Sequence, residues 1–147
     1  MLKSIILFCL LFVLSCNNNS RFTKGENLFF RDLKNLKSNI NNGNYLVFVL
    51  NKSNCYVCET DIISLCKMPR GSVKKIFVVS GDKNLYDFEK NNYVRMEKNK
   101  LSKYGLLRIN GTVLFFKNGE CQFIKSIDVT NIEKLESYIQ KFIQNVK

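Results

Sequence analysis

Residues 45–58 read YLVFVLNKSNCYVC: an apolar run, a polar loop, then two cysteines two residues apart. The run 45–50 has the length and the β-branched, aromatic character of a strand buried on both faces. The residues after it, ETDIISLCKM at 59–68, have helical character and stop at Pro69, the single proline of the chain. Cys55 and Cys58 therefore sit where a buried strand hands over to the start of a helix. Backbone N–H groups at a helix start have no partner within the helix, and their partial positive charge stabilises a thiolate. Such placement lowers a cysteine pKa from about 8.5 to roughly 3.5–7.5. Spacing and position together point to thiol–disulfide chemistry.

The totals narrow the chemistry further. The chain has 147 residues, enough for one domain with a genuine core. It contains no histidine and no tryptophan, which excludes Ser-His-Asp and Cys-His catalysis and any imidazole metal site. Its net charge of +11 raises the question of nucleic acid. The basic residues are scattered as KNLK, VKK, EKNK and KFIQNVK, with no dense block, so no nucleic-acid partner is expected. Attraction to anionic lipid headgroups is the better use of such a charge on a protein tethered nearby.

The N-terminus supplies the tether. Met1-Leu2-Lys3-Ser4 carries one positive charge, and 5–14 is an apolar run about half as long as a membrane span needs. Val13-Leu14-Ser15-Cys16 resembles the lipobox of bacterial lipoproteins, although the family usually has Leu at the first position and Ala or Ser at the second. The resemblance implies a signal peptide over 1–15 and a mature N-terminal Cys16 carrying lipid such as palmitate. A polar tether then covers the rest of 16–24, and one domain spans 25–147. Outside the cytoplasm a CxxC is either a staple or a redox centre. A staple closing so short a gap removes little chain entropy, which favours redox. A zinc site would need two further ligands, and Cys66 lies about three helical turns away. Neither metal nor cofactor is expected, and Cys66 and Cys121 read as small buried hydrophobes, with a second disulfide between them as the alternative.

Further along, helix is expected over 26–43 with Phe29, Leu33, Leu36 and Ile40 on its buried face. Strands are expected at 76–79, 93–96, 112–117 and 121–127, with helix at 84–91 and 131–144 and a helical turn at 100–107. Asn118-Gly119 reads as a tight hairpin turn between the last two strands, and Thr130 or Asp128 as the cap of the last helix. Strands alternating with helices imply an α/β fold with a mixed central sheet.

At this point the chain resembles the thioredoxin-like family over about residues 25–145. The resemblance is carried by the strand–loop–CxxC–helix of 45–67 and by TVLFFKNGE at 112–120. It implies a three-layer sandwich with a C-terminal antiparallel hairpin and a closing helix. With the leader included, the chain is similar to the lipid-anchored thioredoxin-like proteins of Gram-negative bacteria. By that resemblance Cys55 is the attacking thiolate, Cys58 resolves the mixed disulfide, and Asn54, Tyr56, Val57, Gly111 and Thr112 line the substrate groove. The implied partners are protein thiols or disulfides and a membrane redox partner, at a cell or outer membrane facing the periplasm or exterior. Three positions depart from the family: Gly111 replaces its cis-proline, Asn54 its tryptophan, and Val49 its buried acid. A trans peptide is expected before Gly111. These departures support an alternative, a non-catalytic binding module with a structural CxxC disulfide.

Overall fold

The structure is a computed structural model and describes residues 24–37, 40–51, 56–69, 71–80 and 92–146. The leader and tether at 1–23 and the expected helix at 84–91 lie outside the described residues. Within them the chain forms α1 (Lys24–Leu36), β1 (Tyr45–Leu50), α2 (Tyr56–Lys67), β2 (Lys74–Ser80), β3 (Tyr93–Met96), α3 (Lys98–Lys103), β4 (Gly111–Lys117), β5 (Glu120–Ser126) and α4 (Ile132–Asn145).

The apolar run at 45–50 is the middle strand of a five-stranded sheet of order β3-β2-β1-β4-β5. β1 pairs in parallel with β2, Val47 beside Ile76 and Leu50 beside Val79. On its other side it pairs antiparallel with β4, Leu50 opposite Gly111 and Val49 opposite Thr112. All six β1 residues are buried because both faces of the strand are covered. Alternate side chains feed two cores. Tyr45, Val47 and Val49 pack with Phe29, Phe30 and Leu33 of α1 and with Leu101. Leu46, Phe48 and Leu50 pack with Ile62 and Leu65 of α2 and with Leu135, Ile139 and Phe142 of α4. The result is a three-layer α/β sandwich with a mixed sheet, closed by the expected hairpin and helix. Among the described residues, no helix is long and apolar enough to cross a membrane.

Phenylalanine fills both cores. Phe30 stacks on Phe116 at 4.1 Å on one side, and Phe115 stacks on Phe123 at 4.2 Å on the other, with Phe142 edge-on at 5.3 Å. Asn118 and Gly119 take φ of 52° and 82°, as the tight turn requires. Asp128 accepts from the Thr130 N–H at 3.0 Å and caps the short 3-10 turn that leads into α4.

Two expectations need correction. α1 ends at Leu36 rather than near Asn42, and Leu36 is 56% exposed. Lys37 donates its N–H to the Leu33 carbonyl, Ile40 donates to Lys37, and Ile40 folds back into the core on its own. Leu36 keeps the helical phase of Phe29 and Leu33 but stands at the last position of α1, where the chain turns away. The helix expected at 100–107 starts earlier and stops at Lys103, because Tyr104 and Gly105 turn the chain and Gly105 takes φ 70°.

One buried charge ties α2 to the sheet. Lys75 on β2 is only 6% exposed, and its ammonium donates to the Cys66 carbonyl at 2.6 Å and to the Met68 carbonyl. These are carbonyls that a helix end leaves without internal partners. Lys75→Met keeps the buried stem and removes the donors, so it should cost about 2–4 kcal/mol. A urea melt with unchanged slope and a lower midpoint is the expected reading; an unchanged midpoint would contradict this role for Lys75.

Candidate active site

Cys55 and Asn54 lie outside the described residues, as does Cys16. Tyr56, Val57 and Cys58 are the first three residues of α2, so the second cysteine of the pair occupies the first turn of that helix. Gly111 and Thr112 open β4, directly across from Leu50 and Val49 at the end of β1. The end of β1 and the start of β4 thus share one end of the sheet, and Leu50 is five positions before Cys55.

Gly111 is a point of close approach. Its φ is 118°, and a Cβ there would lie 2.3 Å from the Val49 carbonyl oxygen and 3.2 Å from Leu50 Cα. Only glycine fits. Proline, the family's residue at this position, requires φ near −65° and cannot adopt this backbone. The described peptides contain no cis bond, so the chain passes here in trans. The Gly111 carbonyl accepts from the Ile127 N–H at 2.9 Å and joins β4 to the segment after β5.

The Thr112 side chain faces the α1 layer, not α2. Its hydroxyl is buried and donates to the Leu106 carbonyl at 2.9 Å. Of Thr112, therefore, only backbone is available at the rim. Val49 is buried on the same face, so the place of the family's buried acid is apolar.

Three residues that sequence reasoning passed over complete this end of the sheet. Asn51, directly after β1, offers its side-chain N–H groups to the Arg108 and Ile109 carbonyls at 3.4 Å each. Its side-chain oxygen accepts from the buried Ser80 hydroxyl at 3.1 Å. Asn51 and Ser80 together hold the loop before Gly111 against the ends of β1 and β2. That loop presents Ile109, which is 86% exposed. The position of Asn51, right after a buried strand, was the one available signal, and it reads equally well as ordinary loop.

Two further cysteines lie among the described residues. Cys66 and Cys121 are free and buried, on opposite sides of the sheet, so they do not pair. Burial pushes both thiols up to about 12, the Lys75 charge opposing this at Cys66 and the Glu26 charge adding to it at Cys121. A cleft of about 470 Å³ lined by Lys37, Tyr45 and Lys74 opens at the other end of β1 and β2, away from Gly111.

No protein-family model and no curated protein matches the chain. Among solved structures it is similar to a secreted Mycobacterium tuberculosis disulfide oxidoreductase homologous to E. coli DsbE, at 9% identity and a TM-score of 0.48. That similarity covers 71% of this chain and 85% of the other.

Gly111→Ala should destabilise the fold by about 2–4 kcal/mol, combining backbone strain with a clash that neither strand can relieve alone. Gly105→Ala, at φ 70° with nothing within 4 Å of the added carbon, should cost only about 1 kcal/mol. Equal losses in a denaturant series would refute the close-approach argument. The thiols give a second expectation. Up to the ordinary thiol value of 9.0 both states keep these protons; from there to about 12 only the folded chain does, so stability falls as pH rises. In the folded chain at pH 8, peptide mapping after iodoacetamide should find Cys66 and Cys121 unmodified, and urea should expose both.

Proposed function

We propose that the chain is an extracytoplasmic thiol–disulfide oxidoreductase, held at a membrane by lipid on Cys16 and acting through Cys55 and Cys58. What supports the reading most is the placement of Cys58 in the first turn of α2, just after the buried central strand and at the sheet end where β4 begins. A helix start favours thiolate over thiol. The similarity to a secreted disulfide oxidoreductase agrees with this reading without carrying it.

In the reducing direction, the Cys55 thiolate attacks one sulfur of a substrate disulfide. The S–S bond breaks, a mixed disulfide forms, and the other substrate sulfur leaves as a thiolate protonated by water. Cys58, deprotonated in turn, attacks Cys55 Sγ, and the second substrate sulfur leaves. The substrate gains two electrons and the Cys55–Cys58 pair loses two. In the oxidising direction each step reverses, and a membrane redox partner returns the pair to its starting state. With Val49 in place of an acid, water carries the proton to and from Cys58. In sequence Asn54 and Tyr56 adjoin Cys55 and Val57 adjoins Cys58, and the backbone at Gly111 and Thr112 offers the edge against which an extended substrate lies.

The second reading, a binding module with an inert Cys55–Cys58 disulfide, draws on the φ of 118° at Gly111, where the family's proline cannot sit. Redox titration and turnover separate the two. The first reading expects reversible titration of the full chain, turnover of a disulfide substrate abolished by Cys55→Ser, and a trapped mixed disulfide in Cys58→Ser. A potential below about −300 mV with no turnover would mean an inert disulfide and end the enzymatic reading.

A further inference from the structure

The start of α1 is pinned to the same end of the molecule as the CxxC. A Cβ on Gly25 would lie 2.9 Å from the Tyr104 carbonyl oxygen, so the first turn of α1 rests on the chain just beyond α3. Phe29 meets the Tyr104 ring edge-on at 5.5 Å, and the Tyr104 hydroxyl donates to Asp32, which also pairs with Lys100 at 3.3 Å. Two residues after Tyr104, the Leu106 carbonyl holds the Thr112 hydroxyl, and Gly111 beside it faces Leu50. From the first turn of α1 to the strand end that leads into the CxxC, the contacts are continuous. A tether over 16–23 that enters α1 therefore leaves the domain at this pole. At no more than about 3.5 Å per residue its reach is on the order of 28 Å, which allows this pole to touch the anchoring surface.

The surface there has the chemistry for such contact. The segment 97–110, EKNKLSKYGLLRIN, carries Lys98, Lys100, Lys103 and Arg108 against one acid, Glu97. Lys98, Lys103 and Arg108 are exposed. Between the basic residues and Gly111 stands Ile109, 86% exposed on a loop that Asn51 holds by two carbonyls. An exposed aliphatic tip among basic side chains suits a boundary between anionic headgroups and acyl chains. Lysines occur at the opposite pole as well, so charge alone does not choose between the ends; the chain exit and Ile109 do.

From this we infer that the pole bearing the CxxC docks on an anionic bilayer, with Ile109 at the level of the headgroups and Lys98, Lys103 and Arg108 on their phosphates. The inference rests on the lipid-anchor reading at Cys16 and is independent of whether Cys55 and Cys58 turn over. It places the thiol site where cysteines of membrane-embedded partners emerge, and turns it from freely diffusing proteins.

The absence of native tryptophan gives a clean test. Full-length Ile109→Trp and Ser72→Trp, the second an exposed position in the cleft at the other pole, are processed in cells and reconstituted in phosphatidylcholine vesicles with or without 30% phosphatidylglycerol, a fraction set at about one lipid in three to mimic an anionic leaflet. The expected result is a blue shift and quenching by brominated lipid at position 109 on the anionic vesicles only, with none at position 72. Lys98→Gln, Lys103→Gln and Arg108→Gln in the Ile109→Trp background should lower the docked-to-free ratio about fivefold per charge, and added salt should do the same. Chains that do not float with either vesicle overturn the anchor, and this orientation with it. Chains that float without quenching at 109, or with equal quenching at both positions, overturn the orientation alone and leave the rim to a protein partner. Quenching that persists on pure phosphatidylcholine refutes the role of the basic residues.

Discussion

The two-sided burial of β1 is the constraint from which the rest follows. A strand with six buried residues needs a hydrogen-bonded neighbour on each edge and a helical layer on each face. β2 and β4 meet the first need, α1 and the α2–α4 pair the second. Because β1 is central, its C-terminal end is also fixed from all sides. Whatever the chain places there is presented from a rigid base.

That rigidity gives Gly111, Val49 and Thr112 their meaning. Gly111 is part of the packing between β1 and β4, so close that the Val49 carbonyl occupies the space where any other residue would carry its side chain. An apolar Val49 and a Thr112 hydroxyl turned into the α1 layer remove ionisable groups from beneath the rim. In their place stands a polar clamp, Ser80 to Asn51 to the 108–109 carbonyls, which orders the rim without adding charge. The helix start is then an electrostatic device at this end of the sheet that favours a thiolate over a thiol, alongside the basic residues of 98–108.

The same end gathers the entry of the chain. α1 starts beside Tyr104 and ends on the side where the chain enters β1, so its first residues lie toward the same end of the sheet as the last residues of β1. The start of α1, the start of α2 and the basic segment 97–110 lie toward one end of the sheet for that topological reason. The two buried thiols stand apart from this end: Cys66 is near the far end of α2 beside the Lys75 ammonium, and Cys121 lies in the hairpin on the other face.

Much of this was legible in the order of residues alone, because period and punctuation are local. YLVFVL announced a doubly buried strand, Pro69 the end of the thiol helix, and Asn118-Gly119 the hairpin. Sequence also named the departures at Val49 and Gly111, since each is an identity at a position. It misjudged the end of α1, and Leu36 with it, because the helix stops six residues before Asn42 and no local pattern reveals that. It could not assign Cys66 and Cys121 to opposite faces, nor find the clamp of Asn51, since those depend on which strands lie side by side. Above all, only the tertiary structure decided that Gly111 must be glycine and that α1 begins at the CxxC end. Both are distances between segments remote in the chain, set by packing against β1.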